Sequence, residues 1–136
     1  MLGPTAVGKT VWSLQVAEKL GCPVISADSR QIYKGMTIGT AAPTPAQMQR
    51  VEHHFVGFLS PEDYYSASEY EQDVLALLRK LFRQHSVVIL SGGSMLYIDA
   101  VCKGIDEIPT IDKELREELQ RLYQKEGLDP IRQQLK

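Results

Sequence analysis

The sequence predicts an α/β fold: a parallel sheet flanked by helices, followed by the start of a helical insertion subdomain. Three observations carry that expectation. Residues 3–10 read Gly-Pro-Thr-Ala-Val-Gly-Lys-Thr, a G-x-x-x-x-G-K-T phosphate cradle that opens a helix. Two short apolar runs, Pro-Val-Ile-Ser-Ala at 23–27 and Val-Val-Ile-Leu at 87–90, do not alternate with polar residues, which is the pattern of parallel strands buried on both faces. Helical patterns separate these runs, and alternation of strand and helix builds a parallel sheet. The combination is P-loop NTPase-like.

Taken in order, the first helix is expected from Gly8 to about Leu20. Val11, Trp12, Leu14, Val16, Ala17 and Leu20 make it apolar on more than one side, as for a helix packed on a sheet, and Gly21 ends it. A loop of this kind leaves the end of a buried strand, yet only Met1 and Leu2 precede Gly3, so the first strand is expected upstream. Residues 23–27 form the next strand and deliver Asp28 at its C-terminal end. Residues 35–45, with two glycines and two prolines, read as loop. Ser66-Ala-Ser-Glu69 is an S-x-x-E capping box, and Tyr70, Val74, Leu77, Leu78 and Leu81 follow at helical spacing. Residues 87–90 are the next buried strand, running through Ser-Gly-Gly-Ser at 91–94 into a helix from about Met95 to Val101.

Composition shifts near Gly104. Residues 112–136 hold twelve charged residues in twenty-five, and Asp112 and Asp129-Pro130 mark two helix starts. The expected division is an incomplete α/β core over 1–104 and the beginning of a helical subdomain over 105–136. The charged helices read most simply as a solvated face, on which Lys113 and Arg116 could meet a polyanion.

Bulk properties bound the function. The net charge of −2 gives no overall electrostatic footprint for nucleic acid, so such binding needs a local patch or further segments. Cys22 and Cys102 are far apart and lack a C-x-x-C partner, which argues against a disulfide scaffold or structural zinc and for a reducing cytoplasm. No apolar run approaches the roughly 20 residues of a membrane span, and no membrane partner is expected.

Ligands of such sheets bind at the C-terminal ends of the strands. Three segments should converge there: the phosphate cradle, Asp28-Ser-Arg-Gln-Ile-Tyr33, and Ser91-Gly-Gly-Ser94. Lys9 supplies a reaching positive charge, and the Thr10 hydroxyl is a ligand for Mg²⁺. Asp28 has three roles open to it: Mg²⁺ ligation, general base, or a plain helix or turn cap. An NTPase engine wants an acid at the end of a later apolar strand to hold Mg²⁺. Residues 87–90 end instead in Ser91-Gly92-Gly93, whose glycines let a ligand approach the backbone closely. That favours a group-transfer enzyme over nucleotide hydrolysis. His53-His54 invites a metal reading, but neighbours on an extended segment point to opposite sides. Phe55, Phe58, Tyr64 and Tyr65 are read as packing residues before base-stacking ones.

Together these blocks resemble a known family. The cradle at 3–10, Ile-Ser-Ala-Asp-Ser-Arg-Gln-Ile-Tyr-Lys-Gly-Met-Thr-Ile-Gly-Thr-Ala-Ala-Pro at 25–43, His53-His54, Tyr65-Ser66-Ala67 and Gly-Gly-Ser-Met-Leu-Tyr at 92–97 occur in the order seen in the tRNA dimethylallyltransferases, or tRNA isopentenyltransferases. The resemblance implies transfer of a dimethylallyl group from dimethylallyl diphosphate to the exocyclic amine of the adenine beside the anticodon, in the cytoplasm and by a monomer. It implies that Gly3, Pro4, Thr5, Ala6, Val7, Gly8, Lys9 and Thr10 hold the donor diphosphate, with Mg²⁺ on Thr10 and no ATP hydrolysed. It makes Asp28 the catalytic base beside Lys9 and Thr10. Asp28, Ser29, Arg30 and Gln31 then hold the flipped-out nucleotide of the anticodon stem-loop, and Ser94 and Arg116 match further tRNA contacts. Residues 1–104 become the catalytic core and 105–136 the start of a tRNA-binding insertion.

Members of that family continue well past this length, with a basic segment that grips the stem-loop. The chain by itself is therefore expected to bind diphosphate weakly and tRNA more weakly, and to be inactive alone. The rivals are an adenylate isopentenyltransferase that makes cytokinin, a small-molecule P-loop kinase, and a non-catalytic phosphate-binding module. Arg30 beside Ser29, Gly-Thr-Ala-Ala-Pro at 39–43 and the insertion from Ile105 point to the tRNA type.

Overall fold

The computed structural model describes residue 3, residues 8–105 and residues 113–134. The chain divides into two compact units, Met1–Ile105 and Asp106–Lys136.

In the first unit, helix α1 (Lys9–Leu20) starts after Gly8, whose φ of 83° is left-handed, a region that costs a side chain strain. It stops at Gly21, φ 61°, where the N–H groups of Gly21 and Cys22 turn back to the carbonyls of Glu18 and Ala17 at 3.3 and 3.0 Å. Strand β1 (Val24–Ser26) follows at once and is buried along its length. Helix α2 (Pro45–Arg50) leads into the short strand β2 (His53–His54). Helix α3 (Ala67–Leu81), strand β3 (Ile89–Ser91) and helix α4 (Met95–Lys103) complete the unit. The sheet has the order β2-β1-β3 with both pairings parallel, and Val24 lies opposite His53 and Ile89.

Side-chain alternation along β1 sets the layers. Val24 packs with Leu14 and Ala17 of α1, together with Cys22 and Val51. Ile25 and Ala27 face the other way, onto Tyr70, Val74 and Leu81 of α3 and Tyr97 and Ile98 of α4. Both halves of the predicted capping box form: the Glu69 N–H donates to Ser66 Oγ at 3.1 Å, and the Ser66 N–H to Glu69 Oε2 at 2.7 Å. The buried Tyr70 hydroxyl donates to the Ser26 carbonyl at 2.8 Å, which ties α3 to β1 just before Asp28. Tyr70 stacks on Tyr97 at 4.2 Å, and Phe55 meets Phe58 and Tyr70 edge-on at 5.5 and 5.2 Å. These rings pack on one another, as expected, while Tyr64 is exposed.

Three expectations need correction. Helix α1, apolar on more than one side, is buried on one among the described residues: Ser13, Leu14 and Ala17 are buried, whereas Val11, Trp12 and Leu20 are half-exposed or more. Pro45, the last residue of the stretch read as loop, instead opens helix α2. Thr44 caps it, accepting from the Gln47 N–H at 3.3 Å while Gln47 Oε1 accepts from the Thr44 N–H at 2.8 Å, and Pro45 sits where a missing N–H costs nothing. Strand β3 starts two residues after the apolar run does and is half-buried, and Val87, ahead of the strand, is 45% exposed. Among the described residues it is an edge strand, hydrogen-bonded to β1 alone.

The second unit holds α5 (Lys113–Glu126) and α6 (Asp129–Gln134), which begin at the two predicted starts. Asp112 itself lies outside the described residues. Glu114 in the first turn and Lys125 in the last suit the helix dipole of α5, and most of its side chains are exposed. No described helix is long and apolar enough to cross a membrane.

Candidate active site

At the C-terminal end of β1 a cavity of about 270 Å³ opens between the start of α1 and the sheet. Gly8, Lys9 and Thr10 form one wall. The first-turn N–H groups of a helix have no intrahelical acceptor, so this wall favours an anion, and Lys9 adds a full charge to it. Asp28 and Gln31 stand on the β1 side, and Ser91, Gly92 and Gly93 come from the end of β3. Thr40, Ala41 and Pro43 close another side, and Val11 and Val24 add apolar surface.

Asp28 is half-buried and held from two directions. Its Oδ1 accepts the backbone N–H groups of Arg30 at 3.0 Å and Gln31 at 3.4 Å. Its Oδ2 lies beside Gly93, 3.7 Å from where a Cβ would stand. The carboxylate is thus a turn cap, one of the three roles open to it from the sequence, and it also lines the cavity. The turn it caps is braced again. Ser94 Oγ accepts the Ser29 N–H at 2.8 Å and bonds Ser29 Oγ at 3.1 Å, joining the Asp28 turn to the start of α4. Gln31 is a three-way tie: its Oε1 accepts from Ser26 Oγ at 2.8 Å, its Nε2 donates to the Thr40 carbonyl at 2.8 Å, and its own carbonyl accepts from the Gly57 N–H at 2.8 Å. Behind the turn, burial pushes the Tyr97 hydroxyl up to about 12, with the charges of Tyr33, Glu69 and Asp28 adding to the shift.

Of the predicted site residues, Gly8, Lys9, Thr10, Asp28 and Gln31 line the one cavity. Ser29 and Arg30 are exposed and do not line it, and Ser94 supports the Asp28 turn. Pro4, Thr5, Ala6 and Val7 lie outside the described residues. Arg116 is on α5 in the second unit, exposed. The reading of Gly92 as room for a ligand is corrected. A Cβ there would fall 2.0 Å from the Ala27 carbonyl oxygen, so its missing side chain admits the backbone of β1. The reading missed His53, which lines the cavity, and Ala41, which does so with a left-handed φ of 52°. The signal for His53 was the alternation already noted for the pair. His53 faces the cavity, and His54 faces an open groove on the other side with Phe55, Phe58, Asp73 and Leu77. Among the described residues no group of three or more His, Cys, Asp or Glu is placed to hold a metal ion.

Comparison with known proteins gives a consistent set of likenesses. Residues 31–136 match the family described as IPP transferase. The chain is 60% identical, over all its 136 residues, to tRNA dimethylallyltransferase 2 of Parabacteroides distasonis, of which it covers 46%. It is 57% identical over the same span to tRNA dimethylallyltransferase 1 of Bacteroides fragilis, covering 45% of it. Among solved structures, the full-length tRNA isopentenylpyrophosphate transferase of Bacillus halodurans superposes with a TM-score of 0.74 at 34% identity, over 98% of this chain and 45% of that one. The chain therefore spans less than half the length of the relatives it matches.

Proposed function

Because the chain belongs to the IPP transferase family, we propose that the complete protein carrying it moves a dimethylallyl group from dimethylallyl diphosphate to the exocyclic amine of the adenine beside the anticodon of tRNA. The observation that carries this reading is one small cavity that holds both the anion-binding start of α1 and the Asp28 carboxylate. The relatives named tRNA dimethylallyltransferase support it, and so does the end of β3 in Ser91, Gly92 and Gly93, where an NTPase would place an acid.

The chemistry follows from the residues. Lys9 and the first-turn amides of α1 hold the diphosphate and oppose the charge that builds on it as the carbon–oxygen bond breaks. The amine nitrogen forms the new bond to carbon, the electron pair of the broken bond leaves with the diphosphate, and the proton lost by the amine passes to Asp28. Ser29, Arg30 and Gln31 form the ledge against which an extruded adenine is held, since chemistry on a base requires taking it out of its stack. Ser94 holds that ledge in place, and Arg116 adds a tRNA contact from the helical insertion.

Mg²⁺ fits this site as an ion that arrives with the diphosphate. Thr10 would hold it through one hydroxyl, since Mg²⁺ is usually bound by few protein groups together with substrate phosphates. When bound, it supplies further neutralisation of the leaving group. Cys22 and Cys102 are free thiols, which suits the cytoplasm.

The test is to incubate the complete protein with labelled dimethylallyl diphosphate and either unmodified tRNA or AMP. Label is expected in tRNA. Transfer to AMP alone would replace this reading with cytokinin synthesis, and phosphoryl transfer from ATP without use of the prenyl donor would replace it with a kinase.

A further inference from the structure

We propose that His53 is a third holder of the diphosphate, its Nε2–H donating a hydrogen bond to a phosphate oxygen in the cavity that Lys9 and Thr10 open. This rests on the reading of that cavity as a diphosphate site.

Placement comes first. His53 lies opposite Val24 across the parallel β1–β2 pairing, so both side chains stand on the α1 face of the sheet, and both line the cavity with Lys9 and Thr10. The cavity, at about 270 Å³, is the size of one small ligand, so these groups meet the same molecule.

Ring chemistry comes second. His53 Nδ1 lies 2.7 Å from the Val51 carbonyl oxygen. A carbonyl only accepts, so Nδ1 carries the proton and the ring is oriented by that bond. The nitrogen left to meet a ligand is Nε2. A phosphate oxygen beside it favours the protonated ring, in which both nitrogens donate.

Charge comes third. A diphosphate brings several negative charges, and Asp28 adds another to the same space. Among the described lining residues, Lys9 and His53 are the groups able to carry positive charge. Arg50 of α2, the cation just before β2, makes a two-pronged pair with Glu18 of α1 at 2.7 and 2.9 Å.

The competing role for His53 is structural, a tie to Val51, and two substitutions separate the two. A glutamine amide reaches the position of Nε2, whereas an asparagine amide reaches that of Nδ1. Binding of inorganic pyrophosphate to the complete protein, measured by calorimetry, should stay within about threefold of wild type in His53→Gln. It should weaken about 10- to 100-fold in His53→Asn, the loss expected for one hydrogen bond to a charged group. The reverse order, or no change in either variant, overturns the proposal. Nitrogen NMR of the histidine rings in the unmutated protein decides the matter if a variant does not fold. Saturating pyrophosphate should move His53 Nε2 to its protonated position with Nδ1 unchanged, and an unprotonated Nε2 at saturation overturns the proposal. If pyrophosphate does not bind the wild type, the diphosphate reading of the cavity fails along with the role of His53. If it binds as described and tRNA is not prenylated, the transferase reading fails and His53 keeps its role.

Discussion

At Asp28 one carboxylate oxygen receives the N–H groups of Arg30 and Gln31 while the other lies beside Gly93, so the base and the turn cap can be separated experimentally. Asparagine keeps an acceptor for the two amides and loses the basic oxygen. Asp28→Asn should therefore fold with a thermal midpoint near that of wild type and lose about 10²- to 10⁴-fold in the chemical step under single turnover, the range of a general base. Asp28→Ala should lose that rate and stability as well. A loss below about tenfold in Asp28→Asn removes the base role. Gly92 behaves differently. Alanine there would drive a Cβ into the Ala27 carbonyl, and no side-chain rotation relieves a clash between two backbones. Gly92→Ala should cost about 3 kcal/mol or more, the upper end of overpacking, measured by urea unfolding. Asp28 was legible in the sequence because it follows a buried run at the end where ligands bind. The reason for Gly92 was not, because the proximity of β3 to Ala27 is a tertiary fact that no local pattern encodes.

Elements were legible where their stop and start signals are chemical. Gly21 ends α1 and Ser66 starts α3 through hydrogen bonds that the sequence spells out. The same grammar was present at Thr44-Pro45-Ala46-Gln47, a T-x-x-Q box with proline in the first turn, and two prolines in a glycine-containing stretch concealed it. Apolarity alone misjudged burial in α1 and in the run ahead of β3, since Trp12 and Val87 are apolar and exposed. Helix α3 offers the sharpest test at this scale. Ser66→Ala removes the acceptor for the Glu69 N–H and should lower stability by about 0.5–2 kcal/mol with the rate of prenyl transfer unchanged. Tyr70→Phe, which strips the buried Ser26 carbonyl of its side-chain donor two residues before Asp28, should cost about 1–3 kcal/mol. An effect on stability from neither substitution contradicts the account of how α3 seats β1.

For the whole molecule, buried tyrosines set the alkaline limit. Burial raises the hydroxyls of Tyr65 and Tyr70, with Asp73 adding to the shift at Tyr65, and pushes Tyr97 up to about 12. Each stays protonated in the folded state above the value of about 10 that it has when unfolded. Their contribution is thus complete below about pH 10 and declines as pH climbs above it, Tyr97 giving up its share by about pH 12. Denaturant midpoints should be level from pH 8 to 10 and fall above that, and a midpoint level to pH 12 contradicts this. The layered α/β architecture was readable because parallel strands and amphipathic helices carry different periods. The cavity was only partly readable: Lys9, Thr10 and Asp28 announce themselves by motif, whereas His53 enters through strand pairing.

On the proposed mechanism the start of α1 holds a leaving group, and the bond broken is carbon to oxygen. A donor labelled with heavy oxygen at the bridge between its dimethylallyl carbon and the first phosphorus tests this directly, with tRNA and released diphosphate both weighed by mass spectrometry. The account predicts that all the heavy oxygen appears in the diphosphate as the tRNA gains the prenyl group. Heavy oxygen retained on carbon, or inorganic phosphate released in place of diphosphate, would contradict it.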